Sequence, residues 1–297
     1  MISDRKVDLM IIGAQKAGTT SLKNYLGQHP KIVTHLQTEF TYYFPNSPDG
    51  SDFDLVFKYY FPVSTEGNSA KLIAKCAAMY VDEESLQRLK NANPECLLVL
   101  LMRNPVDRAY SSYLMELNSG MFDKPWSAII TSLKKSARGE RDHMFKLFIE
   151  MGMYSEHLKK VYRHFPREQV LLFLFEDFTA DPAAVCQKLF SRLNVDASFK
   201  TDVSKKYNPA KRPRMRPLSK LVTNFRKNDN PVKKFIKKML PSPTYAKVGD
   251  WVVNAVSLPH QPELMAVEIQ EQLVEYFKPY NEELRNMTGL ETGQWNK

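Results

Sequence analysis

The sequence predicts an α/β protein: a central, mostly parallel sheet with helices on both faces. Three short apolar runs, Val7–Ile12, Leu97–Met102 and Val170–Phe175, look like strands covered on both sides. Each is followed by a turn and then by apolar residues at helical spacing, the alternation that builds parallel sheets. The 297 residues are 43% hydrophobic, enough for a substantial core, and 17 Phe with 14 Tyr argue against disorder. No internal repeat or low-complexity tract divides the chain. It reads as a single domain over 1–297, with a core over about 1–200 and a basic helical segment plus C-terminal helices over about 201–297.

The first strand ends at Gly13 and opens into the small loop Gly13–Gly18. Thr19 and Thr20 then start a helix with Leu22, Tyr25 and Leu26 on one face, stopped by His29-Pro30. Ile32–Val33 is strand-like. Leu97–Met102 is the central strand, followed by Arg103-Asn104-Pro105 and a helix carrying Ala109, Tyr113, Leu114 and Leu117. Tyr154, Leu158, Val161, Tyr162 and Phe165 mark the buried face of a helix over Met153–Phe165. Asp181-Pro182 reads as an N-cap with proline at the first helical position, opening a helix toward Asn194. Glu263–Phe277 and Asn281–Met287 read as two helices broken at Pro279, and Pro45–Asp54 and Asn118–Arg141 as loops.

The N-terminal residues MISDRKVDLMIIGAQ read as the first strand, not as a signal peptide, and no window holds the ~18–20 apolar residues of a spanning helix. Cys76, Cys96 and Cys186 have neither disulfide-scaffold nor zinc spacing, and the six histidines show no ligand pattern. The expectation is a cytoplasmic protein with no metal.

Charge is concentrated in one place. The chain carries 42 Lys+Arg against 33 Asp+Glu, a net +9, yet Lys205–Lys238 alone holds 13 basic residues and one acid, a net +12. Leu218, Leu221, Val222 and Phe225, then Val232, Phe235, Ile236, Met239 and Leu240, follow helical spacing within and just beyond it. The stretch fits two amphipathic helices with solvated basic faces, an anionic-substrate channel, or a basic helix on a membrane surface.

The loop Gly13-Ala14-Gln15-Lys16-Ala17-Gly18-Thr19-Thr20 has both glycines of the phosphate-binding pattern G-x-x-x-x-G-K-[ST], but Thr19 stands where the lysine belongs and Lys16 sits three residues earlier. A loop at a helix start still aims backbone N–H groups at an anion. The central strand ends in Arg103 rather than the acid that helps hold Mg²⁺ in nucleoside triphosphatases. A guanidinium there suits an extra phosphate and no metal, and Ser111, eight residues on, can add a hydroxyl. Singly, each of these side chains is as readily a solvated surface group. Together they sit at successive strand-to-helix junctions, where such sheets bind ligands.

On these residues the chain resembles the sulfotransferases that use 3′-phosphoadenosine 5′-phosphosulfate (PAPS), in the branch of heparan sulfate sulfotransferases and bacterial relatives. The loop through Ser21-Leu22 resembles that family's 5′-phosphosulfate motif, and Leu101–Ser111 its 3′-phosphate motif. Glu39-Phe-Thr-Tyr42-Tyr43 and, more loosely, Lys75-Cys76-Ala-Ala-Met-Tyr80 resemble further segments, as do Gly152-Met-Tyr154, Phe165-Pro166, Glu176-Asp177, Asp181-Pro182, Tyr276-Phe277 and Trp295. The resemblance implies a P-loop-like fold and sulfuryl transfer from PAPS, with adenosine 3′,5′-bisphosphate (PAP) as product. It assigns Lys16 to the bridging oxygen and sulfuryl group, Gly13, Ala17, Gly18, Thr19, Thr20 and Ser21 to the 5′-phosphate loop, and Arg103 with Ser111 to the 3′-phosphate. Glu39 is then the general base, with His35 as the alternative, and Lys75 meets the sulfuryl group or the acceptor.

Heparan-type enzymes close over the nucleotide with a Lys-Gly-Arg loop, whereas the corresponding Asn254–Pro262 holds no Lys or Arg. Arg212 and Arg214, in Lys211-Arg-Pro-Arg214, either take over that closure, bind an anionic acceptor, or are solvated. Asp177 and Asp181 read as structural. The acceptor implied is a hydroxyl or amine, first of a carbohydrate, with lipids and small molecules as alternatives. Lys205–Lys238 can meet an anionic polymer or a membrane surface, and no nucleic-acid partner is expected. Competing readings are a P-loop kinase, opposed by Thr19 and Arg103, and a non-enzymatic polyanion-binding module, opposed by the intact Lys16, Glu39, Arg103 and Ser111.

Overall fold

A computed structural model describes residues 6–45, 59–61, 70–119, 122–205, 207, 211–213, 257–259 and 265–297. These fall into two compact units, one formed by 1–109, 149–208 and 271–297 and the other by 110–148 and 209–270.

The first unit is a five-stranded parallel sheet with its helices. In chain order come β1 (Leu9–Gly13), α1 (Thr19–Leu26), β2 (Ile32–Thr34), β3 (Lys71–Lys75), α2 (Glu83–Ala92), β4 (Leu97–Met102) and α3 (Pro105–Ser119), whose C-terminal part belongs to the second unit. The second unit also holds α4 (Ala128–Ser136). The first resumes with α5 (Tyr154–His164), β5 (Val170–Leu174), α6 (Phe175–Ala180), α7 (Pro182–Arg192) and most of α8 (Val267–Thr288). Strand order is β2-β3-β1-β4-β5. β1 and β4 are buried almost throughout, the expected consequence of cover on both faces.

Asp181 caps α7 as its sequence context predicts, its Oδ1 accepting from the Ala184 N–H at 3.0 Å. Burial pushes the Cys76 and Cys186 thiols up to about 12, and Cys96 is raised in the same way, so all three are inert, unpaired thiols. No helix among the described residues is long and apolar enough to cross a membrane.

Several elements differ from the sequence expectation. α8 runs unbroken through Pro279. Leu273 and Phe277 before it, and Asn281 and Leu284 after it, are buried on one face, while Pro279 and Glu275 are exposed. The carbonyl that loses its N–H partner to the proline therefore faces water, and packing on both sides outweighs the ~3 kcal/mol proline cost. The stretch read as the loop Asn118–Arg141 contains the end of α3 and all of α4, whose buried face is only Ile129 and Ser132. β5 ends at Leu174, and Phe175 opens α6. β3 and α2 carry too few apolar residues to stand out in the sequence. Residues 46–54 of the loop Pro45–Asp54 and the two basic helical stretches of 218–240 lie outside the described residues.

In the second unit Tyr113, Phe122, Trp126 and Phe148 form an aromatic cluster, with Tyr113 and Trp126 ring centroids 4.9 Å apart. The short strands β6 (Lys211–Pro213) and β7 (Ser257–Pro259) pair antiparallel in the same unit, with Arg212 opposite Leu258.

Candidate active site

The chain leaves β1 toward one edge of the sheet and β4 toward the other, which makes the carboxyl ends of these neighbouring strands the switch point at which α/β sheets bind ligands. Gly13 closes β1 where no side chain fits: a Cβ there would collide with the Tyr80 ring and lie 2.9 Å from Leu100 Cδ1. Ala17 N–H turns back to the Ala14 carbonyl at 3.1 Å, and Gly18 then enters α1 at φ +85°. Gly18 supplies no side-chain cap, and α1 has no acid in its first turn. Among the described residues no side chain caps the N–H groups at its start, over Thr19, Thr20 and Ser21, and the helix dipole there favours negative charge. Half-buried Lys16 holds φ +72°, uncommon for a residue with a side chain.

Arg103, at the tip of β4, donates from Nη1 to the Lys16 carbonyl at 3.3 Å and stacks over the Phe175 ring at 4.9 Å. Asp107 Oδ2 is 3.9 Å from Nη2, too far for a hydrogen bond. The backbone here is fixed from α5 and α6. The Tyr154 hydroxyl donates to the Arg103 carbonyl at 2.9 Å and lies 3.3 Å from its N–H, and Asn104 N–H donates to Glu176 Oε1 at 3.1 Å. Asn104 Oδ1 accepts from Val106 N–H at 3.0 Å, starting α3. Tyr154 and Glu176, sequence landmarks of unstated role, thus hold Arg103 in place. Gly152 leaves room for Phe277 and Pro105, each 2.9 Å from where its Cβ would be.

At the end of β3, Lys75 is buried and its Nζ meets Glu39 Oε1 at 2.6 Å. Glu39 Oε2 accepts from Ala77 N–H at 2.9 Å, and Lys75 Nζ is 3.5 Å from Thr20 Oγ1 in the first turn of α1. The structure thus joins Glu39, Lys75 and Thr20, with Thr20 shared by the phosphate loop. His35, the alternative base, is buried. Its ring packs near Phe40, Tyr60 and Phe61, and Nε2 lies 3.1 Å from the Lys75 N–H that donates to it. Burial, then the Lys23 and Lys75 charges, drive its pKa down to about 2.

Sequence reasoning missed Lys23. It lies on the buried face of α1 beside Leu22 and Leu26, and its Nζ donates to the His35 carbonyl at 2.9 Å and sits 3.5 Å from that of Gln37. Burial, with Lys75 as a second cause, lowers its pKa to about 8, while Glu39 opposes the drop. A lysine four residues after buried Thr19 and three before Leu26 was the available signal.

Of the other expected residues, half-buried Ser21 has its Oγ 3.4 Å from the Tyr207 carbonyl. Ser111 is half-buried on α3 and belongs to the second unit, whereas Arg103 belongs to the first. Arg212 lies on β6 in that unit, and Arg214 lies outside the described residues.

Comparison with known proteins agrees with this architecture. The crystal structure of a sulfotransferase from Alicyclobacillus acidocaldarius superposes with a TM-score of 0.68 over 99% of this chain and all of that one, at 20% identity, which establishes the fold. Human bifunctional heparan sulfate N-deacetylase/N-sulfotransferase 2 is 27% identical over 202 residues, 65% of this chain but 22% of that protein. Mouse heparan sulfate glucosamine 3-O-sulfotransferase 3A1 is 26% identical over 286 residues, 96% of this chain and 63% of that protein. The chain thus spans about a fifth of the first relative and under two thirds of the second. A family model described as a sulfotransferase domain matches residues 6–290, and the chain belongs to that family.

Proposed function

We propose that the chain, acting as one sulfotransferase domain over 1–297, moves the sulfuryl group of PAPS to a hydroxyl or amine of a carbohydrate. The observation that carries the reading is the uncapped start of α1 facing the tip of β4, where Arg103 touches the Lys16 backbone and has the Asp107 carboxylate only at 3.9 Å. A nucleotide with phosphates at both ends matches two such positions. Bound there, PAPS supplies the activated sulfuryl group, and no metal is called for.

The chain's own residues then do three things. The loop from Gly13 through Ser21 holds the 5′ end by backbone N–H groups, and Lys16 places an ammonium against charge developing on the leaving phosphate. Arg103 and Ser111 hold the 3′-phosphate, and Arg212 and Arg214 supply further cations. In support of the last point, Arg212 pairs with β7, inside the stretch that lacks the family's closing cations. Glu39 takes the acceptor's proton at Oε1 or Oε2, a step in which a positioned base contributes ~10²–10⁴-fold. Lys75 fixes that carboxylate and balances its charge.

The carbohydrate acceptor rests on the names of the relatives, and the Lys205–Lys238 segment suits an anionic one. The test is mass spectrometry of glycosaminoglycan oligosaccharides, lipid headgroups and phenols incubated with PAPS. A gain of one SO₃ on the oligosaccharide is expected. A gain on lipid or phenol alone overturns the acceptor assignment, and none on any acceptor overturns the reading.

A further inference from the structure

We propose that Lys23 is a positioning residue for the acceptor half of the site: its ammonium ties the segment carrying Glu39 to α1, the helix that opens on the phosphate loop. The inference rests on the sulfotransferase reading for its catalytic meaning and on geometry for its placement. Lys23 is 7% exposed, between Leu22 and Leu26 on the buried face of α1. An apolar side chain would fill that volume without desolvating a charge, so helix packing alone does not call for an ammonium. What the ammonium adds is contact with two carbonyls, His35 at 2.9 Å and Gln37 at 3.5 Å.

Side-chain contacts hold that segment too: His35 Nε2 accepts from Lys75 N–H, both Glu39 oxygens are bonded, and buried Phe40 packs against Tyr60. β2 ends at Thr34, and main-chain support then comes from Leu36 N–H to the Tyr60 carbonyl at 2.7 Å and Phe40 N–H to the Lys75 carbonyl at 2.8 Å. Lys23 grips the stretch at the carbonyls of His35 and Gln37, four and two residues before Glu39. One turn earlier on the same helix, Thr20 approaches Lys75, the partner of Glu39. α1 therefore sets both members of the Glu39–Lys75 pair relative to its own N-terminus, where the phosphate is bound. The groups facing the Lys23 ammonium are Lys75 from β3, Glu39 from the segment itself and the neutral His35 ring. Lys75 lowers and Glu39 raises the Lys23 pKa, as expected of a cation near both members of the pair.

The test uses the full chain with Lys23→Met, Glu39→Gln and the double variant. Substrates are PAPS and a glycosaminoglycan oligosaccharide, and hydrogen exchange is read in parallel. If Lys23 works through Glu39, Lys23→Met lowers kcat about tenfold or more with KM for PAPS unchanged, and the double variant is no slower than Glu39→Gln. Lys23→Gln, which retains N–H donors and guards against a folding failure of Lys23→Met, recovers part of the rate. In hydrogen exchange, the amides of Leu36, Phe40 and Ala77 lose protection while β1 and β4 keep theirs. Unchanged exchange at those amides, wild-type kcat in Lys23→Met, or multiplicative losses in the double variant would each overturn the proposal. A wild-type chain that transfers to no acceptor overturns the sulfotransferase reading instead, and the exchange data alone then decide whether Lys23 holds the segment.

Discussion

At the β1–β4 end of the sheet, Arg103 keeps 25% of its side chain in water and directs its guanidinium to a backbone carbonyl and an aromatic ring. At the β3 end, Lys75 is 2% exposed and bound to Glu39 at 2.6 Å. Both are cations at the carboxyl end of a strand of the same parallel sheet, yet Lys75 holds a carboxylate at 2.6 Å while Arg103 has Asp107 only at 3.9 Å. Lys75 is already balanced, and its burial makes the pair a rigid fixture whose available function is the lone pairs of Glu39. On the proposed reading the difference separates two tasks, holding a polyanion and receiving a proton, and each can then be disabled alone.

The largest effect is expected from Glu39→Gln, which removes the proposed base but keeps the shape. Turnover should fall ~10²–10⁴-fold while PAP affinity, read by calorimetry, stays within about twofold. Equal loss of both would collapse the distinction between the two ends. Arg103→Ala should do the reverse at the binding step, weakening PAP by about 1.5–3 kcal/mol. Gly18→Ala sharpens the contrast on the phosphate side: φ +85° and ring atoms of Phe178 and Phe175 at 3.1 and 3.2 Å from the new Cβ should cost ~1–2 kcal/mol of unfolding free energy in denaturant titration.

Two buried histidines, His35 beside Lys75 and His157 on α5, make the fold sensitive to protons. His35 is held down to about 2 and His157 to about 4, so between those values and the ordinary 6.5 the unfolded chain binds protons that the native state refuses. Stability therefore falls as pH drops below 6.5, by at most ~1.4 kcal/mol per pH unit for each group. Denaturant titrations of His35→Gln at pH 7 and pH 5 should show a shallower loss than the wild type. An unchanged slope would remove His35 from the acid response.

The ends of β1 and β4 stood out because Gly13–Thr20 and Leu101–Ser111 each carry strand end, turn and helix start in one short window. The Glu39–Lys75 pair joins residues 36 apart in sequence through β3, a strand with only three apolar residues between two lysines. Nothing local announces that pairing, and family resemblance alone pointed to both residues. Lys23 was hidden for a related reason. A lysine on a helix reads as solvated until the fold shows that two carbonyls meet it, and Pro279 reads as a break until packing on both sides of it is seen.

Thermal unfolding in EDTA, with PAP against ATP plus excess Mg²⁺ as a parallel series, bears most directly on the claim that uncapped α1 and Arg103 grip opposite ends of one doubly phosphorylated nucleoside. PAP at ~100 times its dissociation constant should add ~2.7 kcal/mol to the wild type without metal, and Arg103→Ala should lose most of that gain at the same concentration. No shift with PAP, or a larger one with ATP–Mg²⁺, would contradict it.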